Sequence, residues 1–382
     1  MEYRILGRTG LKVGAIALGC EGFADKTAEE VRADFDFAIR NGINFLDLYA
    51  SNPELRSNIG AALAGRREKF VIQGHLCSVW EEGQYLRTRD PEKSLAAFED
   101  MLARLGTDYV EIGMIHYVDA EADLREVLDG PIMRLAQRLR SEGRIRHIGL
   151  SSHNPVVAHM AARTGLIDVL MFSVNPCYDL LPPSDDVDTL WADESYAREL
   201  HNIDPERQRL YEFCEREGIA IDVMKAYGGG DLLSDANSPF GRPMTPVQCL
   251  EYALTRPGVA AVMAGCRSRA EIEAALAWCS ATVAERDYTG ALAGLDKFSW
   301  EGHCMYCGHC APCSVGIDIA GVNKYYNLTL AQHEIPETVR EHYRLLPHHA
   351  SECIACGRCE RNCPFGVDII GHMRLAAAKF GY

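Results

Sequence analysis

The sequence predicts an α/β fold: a (β/α)8 TIM barrel followed by a small, mainly helical, cysteine-rich domain. Three observations carry this. Short apolar runs of strand length alternate eight times with helical stretches within about 260 residues. No strand leads into Gly-x-Gly-x-x-Gly, and Gly228-Gly229-Gly230 lacks that spacing, which disfavours an open doubly wound sheet. Eight of the fifteen cysteines crowd into the last 80 residues.

In chain order, strands are expected near 13–19, 43–47, 69–76, 109–115, 145–150, 168–174, 219–224 and 259–264. Helices fill most of the gaps. Val31, Phe35, Ala38 and Ile39 repeat on one helical face, and Thr27 with Glu30 forms a capping-box start. Thr245, Pro246 and Gln248 supply a cap, a first-turn proline and a reciprocal partner. Residues 180–205, with Pro182-Pro183, Asp185, Asp186, Asp188, Asp193 and Glu194, read as a long acidic loop at the barrel's active end. It is either a solvated surface loop or a lid that disfavours anionic substrates. The barrel is expected over 1–280, a linker over 281–300 and the second domain over 301–382.

Composition narrows the function. The 382 residues carry 39 Lys+Arg against 54 Asp+Glu, a formal charge of −15, so no basic stripe for nucleic acid is expected. Met1-Glu2-Tyr3-Arg4 opens no signal peptide, and no apolar run nears the ~18 residues of a membrane span. A cytoplasmic protein acting on small molecules, with room for a redox partner protein, is the expectation. Without export, clustered cysteines read as metal ligands rather than disulfides. The scattered seven (Cys20, Cys77, Cys177, Cys214, Cys249, Cys266, Cys279) read as small buried hydrophobes.

The clustered cysteines form two quartets. Cys304, Cys307, Cys310 and Cys313 are spaced C-x2-C-x2-C-x2-C; Cys353, Cys356, Cys359 and Cys363 with Pro364 are C-x2-C-x2-C-x3-C-P, a ferredoxin spacing. Each last cysteine leads into x-x-Gly-Ile/Val-Asp-Ile (Ser314–Ile319, Pro364–Ile369), an internal duplication. Paired CxxC motifs also bind zinc. Eight cysteines in two quartets, the second closed by Cys363-Pro364, favour two [4Fe–4S] clusters. With helices expected near 320–332 and 336–346, the tail resembles the helical two-cluster ferredoxin module. That resemblance implies an exchange of ligands: Cys304, Cys307, Cys310 and Cys363 would hold one cluster, and Cys353, Cys356, Cys359 and Cys313 the other.

The opening Met1-Glu2-Tyr3-Arg4-Ile5-Leu6-Gly7-Arg8-Thr9-Gly10, then Gly42–Asp47, Leu105–Tyr109, Ile148–His153 and Gly218–Lys225, resemble aldo-keto reductases, in the branch that carries a ferredoxin module. The resemblance implies carbonyl reduction with NAD(P)H by an Asp–Tyr–Lys–His tetrad. Asp47 and His116 stand at the Asp and His positions, but Asn52 replaces the tyrosine and His75 the lysine. Tyr49 is the nearest phenol in sequence. Ser151, Asn175, Lys225, Gly265 and Ser268 match positions that bind the cofactor in the family. Glu271 and Ala275 depart from the cofactor-reading pattern, which disfavours NADP relative to NAD.

Asp47, His75 and His116 end neighbouring strands and converge on the barrel mouth. They admit three readings: leftover polar residues of a silent scaffold, proton transfer by His75 with Asp47 as orienter, or a divalent metal site of two His and one carboxylate. His153, Lys225 and Cys20 also end strands at the mouth, Cys20 reading as packing.

Overall fold

The computed structural model describes residues 1–293, 295, 297–330, 335 and 337–382. Among these, eight parallel strands close into a barrel in sequence order. They are β1 (Ile16–Gly19), β2 (Phe45–Leu48), β3 (Val71–Leu76), β4 (Val110–Ile115), β5 (Ile145–Ser152), β6 (Val169–Ser173), β7 (Ala220–Met224) and β8 (Val259–Gly265). Each lies within a few residues of its expected place. Asp47 pairs in register with Gln73 on β3, and His75, two residues on, faces the same side nearer the mouth.

Helix starts rim that mouth. Five helices open with a polar N-cap followed by proline: Asn52–Pro53, Asp90–Pro91, Asn154–Pro155, Asp204–Pro205 and Thr245–Pro246. The cap satisfies an orphan N–H, and proline costs nothing at a position without an intrahelical bond. Both expected capping boxes, at Thr27 and Thr245, are formed. At the other end an antiparallel hairpin, Tyr3–Ile5 with Lys12–Gly14, brings Leu6 and Val13 into a buried cluster with Ala17, Phe45, Ile112 and Met171. One insertion bears on the site. After β3, Ser78–Glu81 and Gln84–Arg87 form a hairpin joined by Glu82 (φ 52°) and Gly83 (φ 80°). Two consecutive left-handed residues are what a type I′ turn needs.

Residues 283–286 and 289–292 form single helical turns, and Phe298–Ser299 pairs in parallel with Leu200–His201 of the acidic loop. Trp300 is buried against Phe240, which also meets Phe298. The duplication in the tail is structural. Helices Ile319–Leu330 and Ile369–Phe380 each follow an aspartate whose Oδ1 accepts from a glycine N–H: Gly321 to Asp318 (3.0 Å) and Gly371 to Asp368 (2.9 Å). His372 Nδ1 and Asn323 Oδ1 join the two helices at 2.7 Å. A further helix spans Glu337–Arg344; positions 331, 332 and 336 of the expected helices lie outside the described residues.

Gly60 shows how closely the outer helices pack. On helix Pro53–Leu63, an added Cβ there would lie 1.9 Å from the Arg104 carbonyl oxygen of helix Pro91–Leu105. Alanine improves helix propensity by about 1 kcal/mol. Overpacking against a rigid backbone costs about 1–3 kcal/mol and wins. Gly60→Ala is therefore expected to lower the urea unfolding midpoint; an unchanged or raised midpoint would show that the two helices separate freely.

Candidate functional site

The site is built on an amide. Inside the barrel, Gln73 Nε2 donates to Asp47 Oδ1 (2.9 Å) and to Asp222 Oδ2 (3.0 Å). Both carboxylates are buried, and Asp222 Oδ1 and Gln73 Oε1 have no partner. Burial, reinforced by the Asp47 charge, pushes the Asp222 carboxyl well above its ordinary range, so Asp222 is the one of the two that keeps a proton.

From Asp47 a hydrogen-bonded chain runs outward. His75 Nε2 lies 2.8 Å from Asp47 Oδ1, His75 Nδ1 lies 2.7 Å from His116 Nδ1, and His116 Nε2 lies 2.7 Å from Tyr85 Oη. With a carboxylate at Asp47 the tautomers follow. His75 Nε2–H donates to Asp47, His116 Nδ1–H donates to His75, and Tyr85 O–H donates to His116. Burial first, with the His75 ring and the Arg89 charge beside it, holds His116 well below the usual imidazole range, which keeps it neutral and able to accept. Tyr49 lies flat on His116, with ring centroids 5.5 Å apart and planes 3° from parallel, and its phenol is pushed up by burial and by a bond to Glu21. Tyr85 is pushed up to about 12, mainly by burial, so it remains a phenol at neutral pH.

Three of the four expected mouth residues, Asp47, His75 and His116, are thus joined in one chain, with Tyr49 stacked beside it. Tyr85 and Gln73 were not singled out in the sequence. Tyr85 was legible as the face of a hairpin closed by Glu-Gly, and Gln73 as the polar residue two before His75 on an apolar strand. Both ring nitrogens of His75 are engaged, one with Asp47 and one with His116, so the three side chains stand in a line rather than around one point. Asn52 is a helix cap, its Oδ1 accepting from the Glu54 and Leu55 N–H groups. Cys20 is buried and its thiol is raised by that burial, as packing requires. His153 belongs to a separate cluster, 2.9 Å from Asp119. Backbone strain concentrates here: Cys77, Tyr117 and Lys225, just beyond β3, β4 and β7, all have positive φ (68°, 53° and 62°).

Three of the five positions expected to bind a dinucleotide, Ser151, Asn175 and Ser268, are bonded within the chain itself. Ser151 Oγ accepts from the Tyr117 N–H, and Asn175 is tied to Lys225, Cys177 and Tyr178. Lys225 is exposed, as is Gly265 at the end of β8. Ser268 caps the helix Arg269–Leu276. The Arg267 N–H there donates to Glu271 Oε2 at 2.6 Å, and Arg269 is turned away onto Asp34. A carboxylate sits where a phosphate would be received. The cleft between the loops after β6 and β7 is lined by Asp193 and Asp231 beside Trp191 and Tyr196. These residues do not fit the phosphates of a nicotinamide dinucleotide.

Cys304, Cys307, Cys310 and Cys363 line one cavity, together with Met305, Tyr306, Phe365 and Ile369. Ser314, next to Cys313, lies 3.5 Å from the Cys356 sulfur, which places the end of the first motif beside the second. Four thiols around one apolar cavity, with left-handed Tyr306 and Gly308 folding their loop, suit a cluster with thiolate ligands.

Models of known families match both halves: the aldo/keto reductase family over residues 11–248 and a 4Fe-4S dicluster domain over residues 303–368. Similar curated proteins include an uncharacterized oxidoreductase, YqkF, of Bacillus subtilis (strain 168), 28% identical over 179 residues, 45% of this chain and 56% of that protein. L-glyceraldehyde 3-phosphate reductase of Escherichia coli (strain K12) is 30% identical over 165 residues, 41% of this chain and 46% of the other. The chain spans about half the length of the curated relatives it matches. Among solved structures, aldo-keto reductase AKR11C1 from Bacillus halodurans (holo form) superposes with a TM-score of 0.57 at 23% identity, covering 75% of this chain and 94% of that one, a likeness of fold. The family match covers more than half of the sequence and the closed barrel carries it: the chain belongs to the aldo/keto reductase family, with a 4Fe-4S dicluster domain behind the barrel.

Proposed function

We propose that this protein is an iron–sulfur oxidoreductase whose barrel mouth performs the acid–base half of a carbonyl–alcohol interconversion on a small molecule. The observation that carries this is the unbroken chain from Tyr85 through His116 and His75 to Asp47. A substrate hydroxyl bound to Tyr85 Oη gives its proton to that oxygen as the phenol proton passes to His116 Nε2. The His116 Nδ1 proton then moves to His75, and the His75 Nε2 proton to Asp47. One net proton reaches a buried carboxylate, and the reverse order protonates a carbonyl oxygen. His75, buried within the barrel, relays rather than touches substrate; Tyr85, 37% exposed, is the group that can. Cys304, Cys307, Cys310 and Cys363 would hold one [4Fe–4S] cluster, and Cys313, Cys353, Cys356 and Cys359 the other. Such clusters supply one-electron transfer.

Anaerobically purified protein is expected to hold about eight iron and eight acid-labile sulfides, two four-iron clusters. Cys304→Ser and Cys353→Ser should each remove a different cluster. Stoichiometric zinc without sulfide would overturn the cluster reading.

Small aldehydes, ketones and alcohols, screened with viologen dyes as electron donor or acceptor, provide the assay for the mouth. His75→Asn and Tyr85→Phe should each lower kcat on the order of 10²–10⁴-fold, with cluster content unchanged. Protonating His116 removes the acceptor for Tyr85, so alcohol oxidation falls as pH falls. Because His116 is held well below its ordinary range, that fall comes at more acid pH than the ~6.5 of a free imidazole. A break near 6.5, or full turnover in both variants, would leave the barrel as a scaffold for the clusters.

Nicotinamide binding is expected to be weak, with NAD favoured over NADP. Glu271→Ala frees the Arg267 N–H and should tighten both in a tryptophan-fluorescence titration. Tight NADP binding by the native chain would show that Glu271 does not guard the helix end.

A further inference from the structure

The loop between Cys304 and Cys307 is held by an arginine that the barrel supplies. Arg256 sits in the turn between helix Pro246–Leu254 and β8 and is 2% exposed. Its Nη2 donates to the Met305 carbonyl oxygen, which also accepts from Tyr288 Oη at 2.6 Å. The guanidinium lies over the rings of Tyr252 (4.5 Å) and Tyr306 (5.3 Å). Its Nη1 has no hydrogen-bond partner, and among the described residues no carboxylate forms an ion pair with it. The closest candidate, Asp179, is tied instead to Arg207, Tyr211 and Tyr252.

A buried guanidinium without an anion is strongly unfavourable. Arg256 is nonetheless fixed against the one cavity lined by Cys304, Cys307, Cys310 and Cys363. A [4Fe–4S] cluster with four thiolates is anionic and becomes more so by one charge on reduction. In a dry site that added charge interacts with a nearby cation far more strongly than at a wet surface. Among the described residues the second quartet has no such arrangement: Cys356 is exposed, and its neighbours Arg358 and Arg361 are exposed as well, where solvent and salt screen them.

We propose that Arg256 sets the reduction potential of the cluster in the Cys304–Cys363 cavity and makes it the more easily reduced of the two. The step concerned is addition of one electron to that cluster, with no bond or proton moved. The inference rests on the two-cluster reading above. Arg256 is a positioning and electrostatic residue, so the readout is a potential.

The test is a redox titration of the full, cluster-loaded chain with dithionite and mediators, followed by electron paramagnetic resonance. Two steps are expected, and in Cys353→Ser the surviving step should be the more positive. Arg256→Gln should make reduction of that cluster at least tenfold less favourable, about 59 mV more negative for one electron, with the other step unmoved. Arg256→Lys should restore most of the shift, and Tyr288→Phe, which loses a bond to Met305 but no charge, should move it far less. Equal shifts in the Gln and Lys variants, or a surviving step in Cys353→Ser that is the more negative, would overturn the proposal. If Arg256→Gln fails to load its cluster, the order of potentials in Cys353→Ser still decides. Zinc in place of iron would remove the two-cluster reading itself, whereas eight iron with the wrong order of potentials removes only the role of Arg256.

Discussion

Two buried carboxylates share one amide, and the mouth of this barrel follows from that constraint. Asp47 and Asp222 face the same dry interior, and Gln73 Nε2 is the donor between them. Two adjacent charges there are unfavourable, and burial pushes the Asp222 carboxyl well above its ordinary range. The Gln73 bond fixes the Asp47 side chain, which orients the His75 ring; His75 in turn selects the tautomer of His116. A lysine at the end of β3 would place a second charge beside Asp47. An imidazole there passes hydrogen-bond direction outward instead, one ring to the next.

The two chemistries of the chain lie at opposite ends of the barrel. The acid–base chain opens at the carboxyl ends of β2 to β4, where barrel enzymes place their sites. Arg256, which grips the cluster loop, precedes β8 at its amino end. Between them lies a buried polar network on the flank of the barrel, in which Asp179 accepts from Tyr211 (2.5 Å) and Tyr252 (2.7 Å), and Tyr252 packs on Tyr288 at 5.4 Å. This side of the barrel is aromatic and dry because it is the floor of the cysteine domain.

Much of this was legible in the sequence, for identifiable reasons. The eight strands announce themselves because each is apolar through most of its length, as strands buried on both faces must be. The repeated Gly-Ile/Val-Asp-Ile gave away the paired helices, since Asp318 and Asp368 cap by a local bond that needs only three residues. Asp47, His75 and His116 were found because strand ends fix where a side chain goes. What the sequence did not disclose was which atoms meet. Ligand type alone does not tell whether Asp47, His75 and His116 face one point or form the line they make here. Glu271 was read as disfavouring NADP; its bond to the Arg267 N–H adds direct occupation of the helix end. Tyr85 stands 38 positions from Asp47 in an insertion whose register the periodicity leaves open.

That insertion has a consequence for how such a protein diversifies. The outermost hydroxyl of the chain is carried on a two-stranded ribbon, where side chains alternate strictly between faces. Adding or removing one residue at Glu82-Gly83 would turn Tyr85 outward and bring Gln84 or Leu86 over His116. The barrel, its buried carboxylates and both histidines would be untouched. New specificities can therefore be sampled by editing a surface turn, while the expensive interior is inherited unchanged.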